Sequence, residues 1–431
     1  MRNRDLISRS LNSVWHPCTQ MKHHETIPLI PFSRGRGIWL YDFDENRYLD
    51  AISSWWVNLF GHCNGKIGSA ISDQLEKLEH VILAGATHEP VVELSERLSK
   101  LTKLDHAFYA SDGASAVEIA LKMSFHFWKN SGKPEKKNFL SLENGYHGET
   151  LGALSVTDVP IFRDTYSPLV MTGLRAPTPD WRYAESGESP RDYAIRCAKK
   201  LENILEIHHE SIAALVVEPL VQGAAGMGMY HPAYLRMARG LCDEYGIHLV
   251  ADEIAVGFGR TGTLFACEQA EISPDFLCLS KGITGGYLPL SVVLSKSKIF
   301  DAFLDDSVSK AFLHSHSYTG NALACRAALA VLDIFEKDNV IENNREKSAV
   351  MNGKAEILAC HPKVANFRNS GMIWAFEAKD PSPDFSKRFH LEALQKGLLL
   401  RPIGNTVYFM PPYVIEADDM DFLIKGTLES L

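Results

Sequence analysis

Lys281 sits in Leu279-Ser280-Lys281-Gly282-Ile283-Thr284-Gly285-Gly286, between a short apolar run and a glycine-rich turn. A lysine desolvated in such a place loses its proton easily and becomes a nucleophile able to form a Schiff base. Asp252, in Val250-Ala251-Asp252-Glu253, ends a second apolar run. A carboxylate there can pair with a pyridinium nitrogen and keep it protonated. Glu218 follows a third run, and Gly113 follows a fourth within Ser111-Asp112-Gly113-Ala114. If a helix opens at Gly113, its free N–H groups and dipole favour a phosphate; the plain alternative is an Asp-capped helix. Singly, each residue is ordinary, since a strand-end Asp is more often a cap and a Lys a surface charge. Together they predict one site, because ligands of an open parallel sheet bind beyond the carboxyl ends of its strands.

Those ends require elements to hold them. The apolar runs 106–110, 212–217, 247–251 and 276–279 have strand length, and helix-spaced stretches alternate with them. Ile67, Ile71, Leu75, Leu78 and Ile82 predict a helix over 67–82, and Val91, Leu94, Leu98 and Leu101 another. Just after Ser-Asp-Gly, Val117, Ala120, Leu121, Phe125 and Trp128 share one helical face. Fully apolar strands separated by helices predict an α/β fold with a mostly parallel sheet covered on both sides. Gly35, Gly37 and the run 39–41 suggest a small antiparallel piece, and 176–190 reads as a long surface loop. The expected division is a large domain over 61–329 and a smaller α+β domain from both ends, 1–60 and 330–431.

Composition narrows the partners. The chain has 431 residues, 45% hydrophobic and 23% charged, enough for a large buried core. A net charge of −9 without a basic tract argues against nucleic acid and anionic membranes. Cysteines 18, 63, 197, 242, 267, 278, 325 and 360 show no Cys-x-x-Cys spacing, so neither zinc nor a disulfide framework is expected. Scattered thiols fit a reducing cytosol, and no apolar stretch approaches the ~18 residues of a membrane span.

One motif points elsewhere. Gly257-Phe258-Gly259-Arg260-Thr261-Gly262 matches the G-x-G-x-x-G dinucleotide fingerprint, which keeps a nicotinamide (NAD)-dependent dehydrogenase as a rival. Against it, Asp252-Glu253-Ile254-Ala255-Val256 separates the strand from the first glycine, and residues 263–267 start a helix poorly. Glu268, Glu271 and Asp275 also fall short of the usual ~20-residue offset for the ribose-binding acid.

From Asp252 through Gly262, and again at Lys281, the sequence resembles the class III aminotransferases dependent on pyridoxal 5'-phosphate (PLP). The likeness runs over about 15–412. It implies the PLP-dependent transferase fold type I and a homodimer with active sites at the subunit interface. By that likeness Lys281 bonds covalently to the cofactor, Asp252 meets the pyridine nitrogen, and Gly113 and Ala114 bind the phosphate through backbone N–H groups. Tyr146, in Asn144-Gly145-Tyr146-His147-Gly148, stacks on the ring; His316 and Ser317 reach the phosphate of the opposite subunit. Glu218 belongs to the site without a firm role. The glycine run 257–262 then looks like a family loop.

Several further words are similar to members that carry an amino group from S-adenosylmethionine to 8-amino-7-oxononanoate in biotin synthesis. They are Trp15-His16-Pro17, Ser53-Ser54-Trp55-Trp56, Val221-Gln222-Gly223-Ala224, Arg401-Pro402 and Met410-Pro411-Pro412-Tyr413. This implies that Trp55 and Tyr146 line a channel for the long-chain acceptor and that Arg401 takes the donor's carboxylate. Without the likeness, paired tryptophans read as core, Tyr146 as a packed aromatic and Arg401 as a surface charge. Ser315 stands where members usually have glycine at the substrate mouth, and Cys18 where they have Tyr or Phe after His-Pro. The expected reaction is ping-pong, with S-adenosylmethionine as donor, lysine as the alternative, and another class III ω-aminotransferase behind them. Ala255, where many relatives have Gln, argues against the last.

Overall fold

The computed structural model describes residues 2–380 and 382–431. The chain forms two units, one of Lys66–Glu342 and one from both chain ends, up to Gly65 and from Asn343. The helix Ala322–Lys337 therefore stays whole with the larger unit, where Ala324, Ala327, Ala328 and Val331 are buried. Among the described residues no helix is long and apolar enough to cross a membrane, and no cluster of His, Cys, Asp and Glu could hold a metal.

The larger unit is built on a seven-stranded sheet. Across the sheet the strands run His106–Ala110, Ser291–Ser295, Phe276–Leu279, His248–Asp252, Ile212–Val217, Asn138–Leu142 and Leu174–Ala176. Ser291–Ser295 is antiparallel to both neighbours, and the remaining strands point one way. Every residue of Ile212–Val217, His248–Asp252 and Phe276–Leu279 is buried, which explains runs without alternation. Helix Gly113–Asn130 packs Val117, Ala120 and Leu121 into a core with Val216, Val250, Phe276 and Val293. Its stripe is imperfect, since Phe125 faces solvent.

Two expectations change. The helix predicted over 67–82 spans only Gly65–Leu75. Leu75 and Ile82 are 58% and 62% exposed, so the stripe has no face to bury past that point, and the Gln74 carbonyl closes the end by accepting from Lys77 and Leu78. The segment 176–190 is not all surface. Thr178 and Asp180 are buried, because Thr178 donates to Gln222 and Asp180 pairs with Arg182. Residues 257–262 form turns followed by the short 3-10 helix Ala266–Ala270. No α-helix opens at the glycine motif, so it makes no dinucleotide cradle.

In the smaller unit Phe32–Arg36, Trp39–Asp42 and Arg47–Asp50 are antiparallel, and Leu398–Leu399 joins the last strand in parallel. A second sheet holds Val364–Ser370, Ile373–Ala378 and Thr406–Phe409. Between these sheets in sequence lies an unusual turn. Ser53, Ser54, Trp55 and Trp56 have φ of 50°, 46°, 73° and 72°. A left-handed turn of residues with side chains costs roughly 1–2 kcal/mol per residue.

Candidate active site

Asp252 is the last residue of its strand, and its carboxylate is 4% exposed. Its Oδ2 lies 2.8 Å from Nδ1 of His147, and its Oδ1 accepts from the Ile254 N–H at 3.1 Å. His147 is 2% exposed, its N–H donates to Thr157 Oγ1, and its Nε2 has no hydrogen-bond partner. Glu218, directly after its strand, accepts from the N–H groups of Tyr146 and Gly223, both at 2.9 Å. Burial pushes the Glu218 carboxyl up to about 7; His147 pulls it back and the Asp252 charge pushes it further. Lys281 stands two residues past its own strand, with φ of 46°. Burial lowers its amine to about 8, against the opposing pull of Asp252 and Glu218.

Gly113 opens its helix three residues after the strand His106–Ala110. Asp112 caps that helix by accepting the Ser115 N–H, which leaves the N–H groups of Gly113 and Ala114 at the open end. A Cβ on Gly113 would lie 2.9 Å from Ile254 Cγ2, so this turn sits directly against the Asp252 strand end. The loop carrying Tyr146 and His147 is as close. Gly148 has φ +121°, and a Cβ there would lie 2.5 Å from the Ala114 Cβ. Gly148→Ala should therefore cost about 2–3 kcal/mol from overpacking and backbone strain combined. A thermal melt checks this; a wild-type melting temperature would refute the close approach. The Tyr146 hydroxyl donates to Glu149, and its ring centre is 5.2 Å from that of Phe162.

The structure thus brings Gly113, Ala114, Tyr146, Glu218, Asp252 and Lys281 together through strand ends and the Tyr146 loop. Sequence reasoning gave no role to His147, although it stands beside Tyr146 in Asn144-Gly145-Tyr146-His147-Gly148. His316 and Ser317 make their contacts with other residues. His316 Nε2 is 3.2 Å from His314 Nε2, His314 meets Lys122, and the Ser317 carbonyl meets His80. In the smaller unit, Cys18, Trp55 and Arg401 line a cavity of about 570 Å³. The Arg401 guanidinium carbon is 5.1 Å from the Trp55 ring centre, and Nη2 donates to the Cys18 carbonyl at 3.1 Å.

A buried amine close to neutrality, a buried carboxylate and an open helix start suit a group bearing an aldehyde, a basic ring nitrogen and a phosphate. His147, with Nδ1 on Asp252 Oδ2, holds that carboxylate in place for such a group. The residues fit PLP. Comparison with known proteins agrees. The family model for class III aminotransferases matches residues 20–429. Adenosylmethionine-8-amino-7-oxononanoate aminotransferase of Helicobacter pylori is 48% identical over 99% of this chain and 98% of its own. The crystal structure of the enzyme of that name from Methanocaldococcus jannaschii superposes with TM-score 0.93, 36% identity, and 99% and 98% coverage. An amine transaminase from an uncultivated Pseudomonas species, solved in its PLP-bound form, gives 0.91 at 31% identity, with 97% and 98% coverage. With fold, strand-end residues and near full-length relatives in agreement, the chain belongs to the class III aminotransferases and takes pyridoxal phosphate as its cofactor.

Proposed function

We propose that this protein transfers an amino group from S-adenosylmethionine to 8-amino-7-oxononanoate, a step of biotin synthesis. The observation that carries amino transfer is the lowered amine of Lys281 beside the buried Asp252–His147 pair. The substrates rest on the names of the near full-length relatives. When bound, PLP supplies an aldehyde for the incoming amine and a ring that accepts the electron pair released at the substrate carbon. Lys281 would hold the cofactor covalently and be released when the donor amine takes its place. Its Nζ would carry the proton from the donor's amine-bearing carbon to the cofactor's carbon, and in the second half-reaction from the cofactor's carbon to the acceptor's. Asp252 keeps the ring nitrogen protonated, and His147 fixes the carboxylate's orientation. Glu218 holds the Tyr146 backbone by accepting its N–H, and the Tyr146 ring would stack on the cofactor. The N–H groups of Gly113 and Ala114 bind the phosphate.

Arg401 takes the donor carboxylate, and Trp55 and Tyr146 flank the acceptor's methylene chain. Ser315 stands at the mouth. His316 and Ser317 serve the phosphate of the other subunit, which makes the working unit a homodimer. All eight cysteines are free, in keeping with a reducing cytoplasm. Mixing Lys281→Ala with Ser317→Ala subunits should restore part of the activity that neither homodimer has. A fully active monomer in sedimentation would refute shared sites.

The donor is tested directly by steady-state kinetics with 8-amino-7-oxononanoate as acceptor. S-adenosylmethionine should support turnover with the parallel-line pattern of a ping-pong reaction. Turnover with lysine alone would overturn the proposal. Cys18 offers no flat face to an adenine, so a stacking contribution of roughly 1 kcal/mol is missing. Cys18→Tyr should tighten S-adenosylmethionine several-fold, under tenfold, and leave lysine unaffected.

A further inference from the structure

Left-handed turns of residues with side chains persist only where the surroundings over-determine them, and they gather where a side chain must be aimed. The turn of Ser53 to Trp56 is held from inside at three positions. Ser53 Oγ donates to the Met410 carbonyl at 2.7 Å. Trp56 Nε1 donates to the Tyr408 hydroxyl at 3.2 Å. Ser54 is held twice by Asp50, with its N–H on Oδ1 at 2.9 Å and its hydroxyl on Oδ2 at 2.7 Å. Trp55 is different. Its side chain is 45% exposed and forms part of the cavity wall beneath Arg401.

Asp50 is fully buried and stands at the centre of this arrangement. Its Oδ2 also lies 3.0 Å from His62 Nε2. His62 Nδ1 lies 3.1 Å from the Asn58 side-chain nitrogen, and with that amide donating, the imidazole proton sits on Nε2 and points at Asp50. The Asn58 backbone N–H returns to the Ser53 carbonyl at 3.1 Å, which closes the network on the turn itself. Three donors converge on two carboxylate oxygens, a task asparagine cannot copy because one of its two ends is itself a donor. Packing alone would bury the tryptophan. Here a buried carboxylate instead stabilises strained backbone that presents an exposed indole to a cavity.

We infer that Asp50 is a positioning residue for the substrate, acting through the left-handed turn that aims Trp55 at the acceptor's apolar chain. This rests on the reading of Trp55 as an acceptor contact.

The test is a double-mutant cycle on the holoenzyme, with 8-amino-7-oxononanoate as the varied substrate. Asp50→Asn and Trp55→Ala should each raise KM roughly tenfold, the scale of one lost aromatic contact, with kcat changed less than about twofold. In the Trp55→Ala background, Asp50→Asn should add nothing further to KM. Equilibrium binding of the acceptor by calorimetry should show the same non-additivity. If Trp55→Ala leaves KM unchanged, the reading of Trp55 fails. If Trp55→Ala raises KM while Asp50→Asn does not, or the two effects multiply, that reading stands and the positioning role of Asp50 is refuted. Should Asp50→Asn fail to fold, Ser54→Ala removes only the hydroxyl bond. It should raise KM by about threefold, again only while Trp55 is present; a rise in both backgrounds refutes the inference.

Discussion

Lys281→Ala should lower turnover by at least about 10⁴-fold, since the change removes both the covalent hold on the cofactor and the proton carrier. Borohydride reduction of the wild-type enzyme followed by peptide mapping should place the adduct on Lys281; an adduct on another lysine ends the assignment. The lowered amine adds a pH signature. A lysine near 8 is half neutral at pH 8, and its nucleophilic form gains little more beyond about pH 9. The rate at which the cofactor-free protein captures added PLP should therefore be half-maximal near pH 8 and level off by about pH 9. An unshifted lysine would keep climbing towards ~10.4.

Asp252→Asn is the second large effect. The amide is isosteric and can still bond to His147 Nδ1, but it carries no charge to hold a proton on the ring nitrogen. Both half-reactions should slow by roughly 10²–10³-fold, the range seen when one preorganised electrostatic partner is removed. The covalent link to Lys281 should survive. Single-turnover rates measured separately with donor and acceptor decide the matter. A loss below tenfold, or in one half-reaction only, would show that Asp252 does not act through the ring nitrogen common to both.

Much of this site was legible because strand ends are legible. Buried parallel strands read as unbroken apolar runs, so the polar residues at or just past their ends, 218, 252 and 281, are visible in the sequence alone. The antiparallel direction of Ser291–Ser295 was not, because a buried strand looks the same whichever way it runs. His147 was missed because its partner is 105 positions away, and no local pattern marks such a pair. The left-handed turn at Trp55 was hidden for another reason. No glycine announces it, and the bonds that hold Ser53 and Trp56 come from residues 410 and 408. The helix over 67–82 failed in the opposite sense: the periodicity was present, but nothing lay beyond Leu75 to cover it.

The parallel pairing of Leu49 with Leu398 has a consequence for how the protein is made. At roughly 5–20 residues per second, a ribosome delivers Leu398 several tens of seconds after Leu49. All seven strands of the larger sheet emerge within that interval, so that sheet can close while Arg47–Asp50 still has an open edge. An open edge strand is a template for pairing with the wrong chain. The earliest-made strands thus wait for one of the latest-made before their sheet is complete. Until Leu398 arrives, the stretch around 32–50 leaves that edge exposed to neighbouring chains.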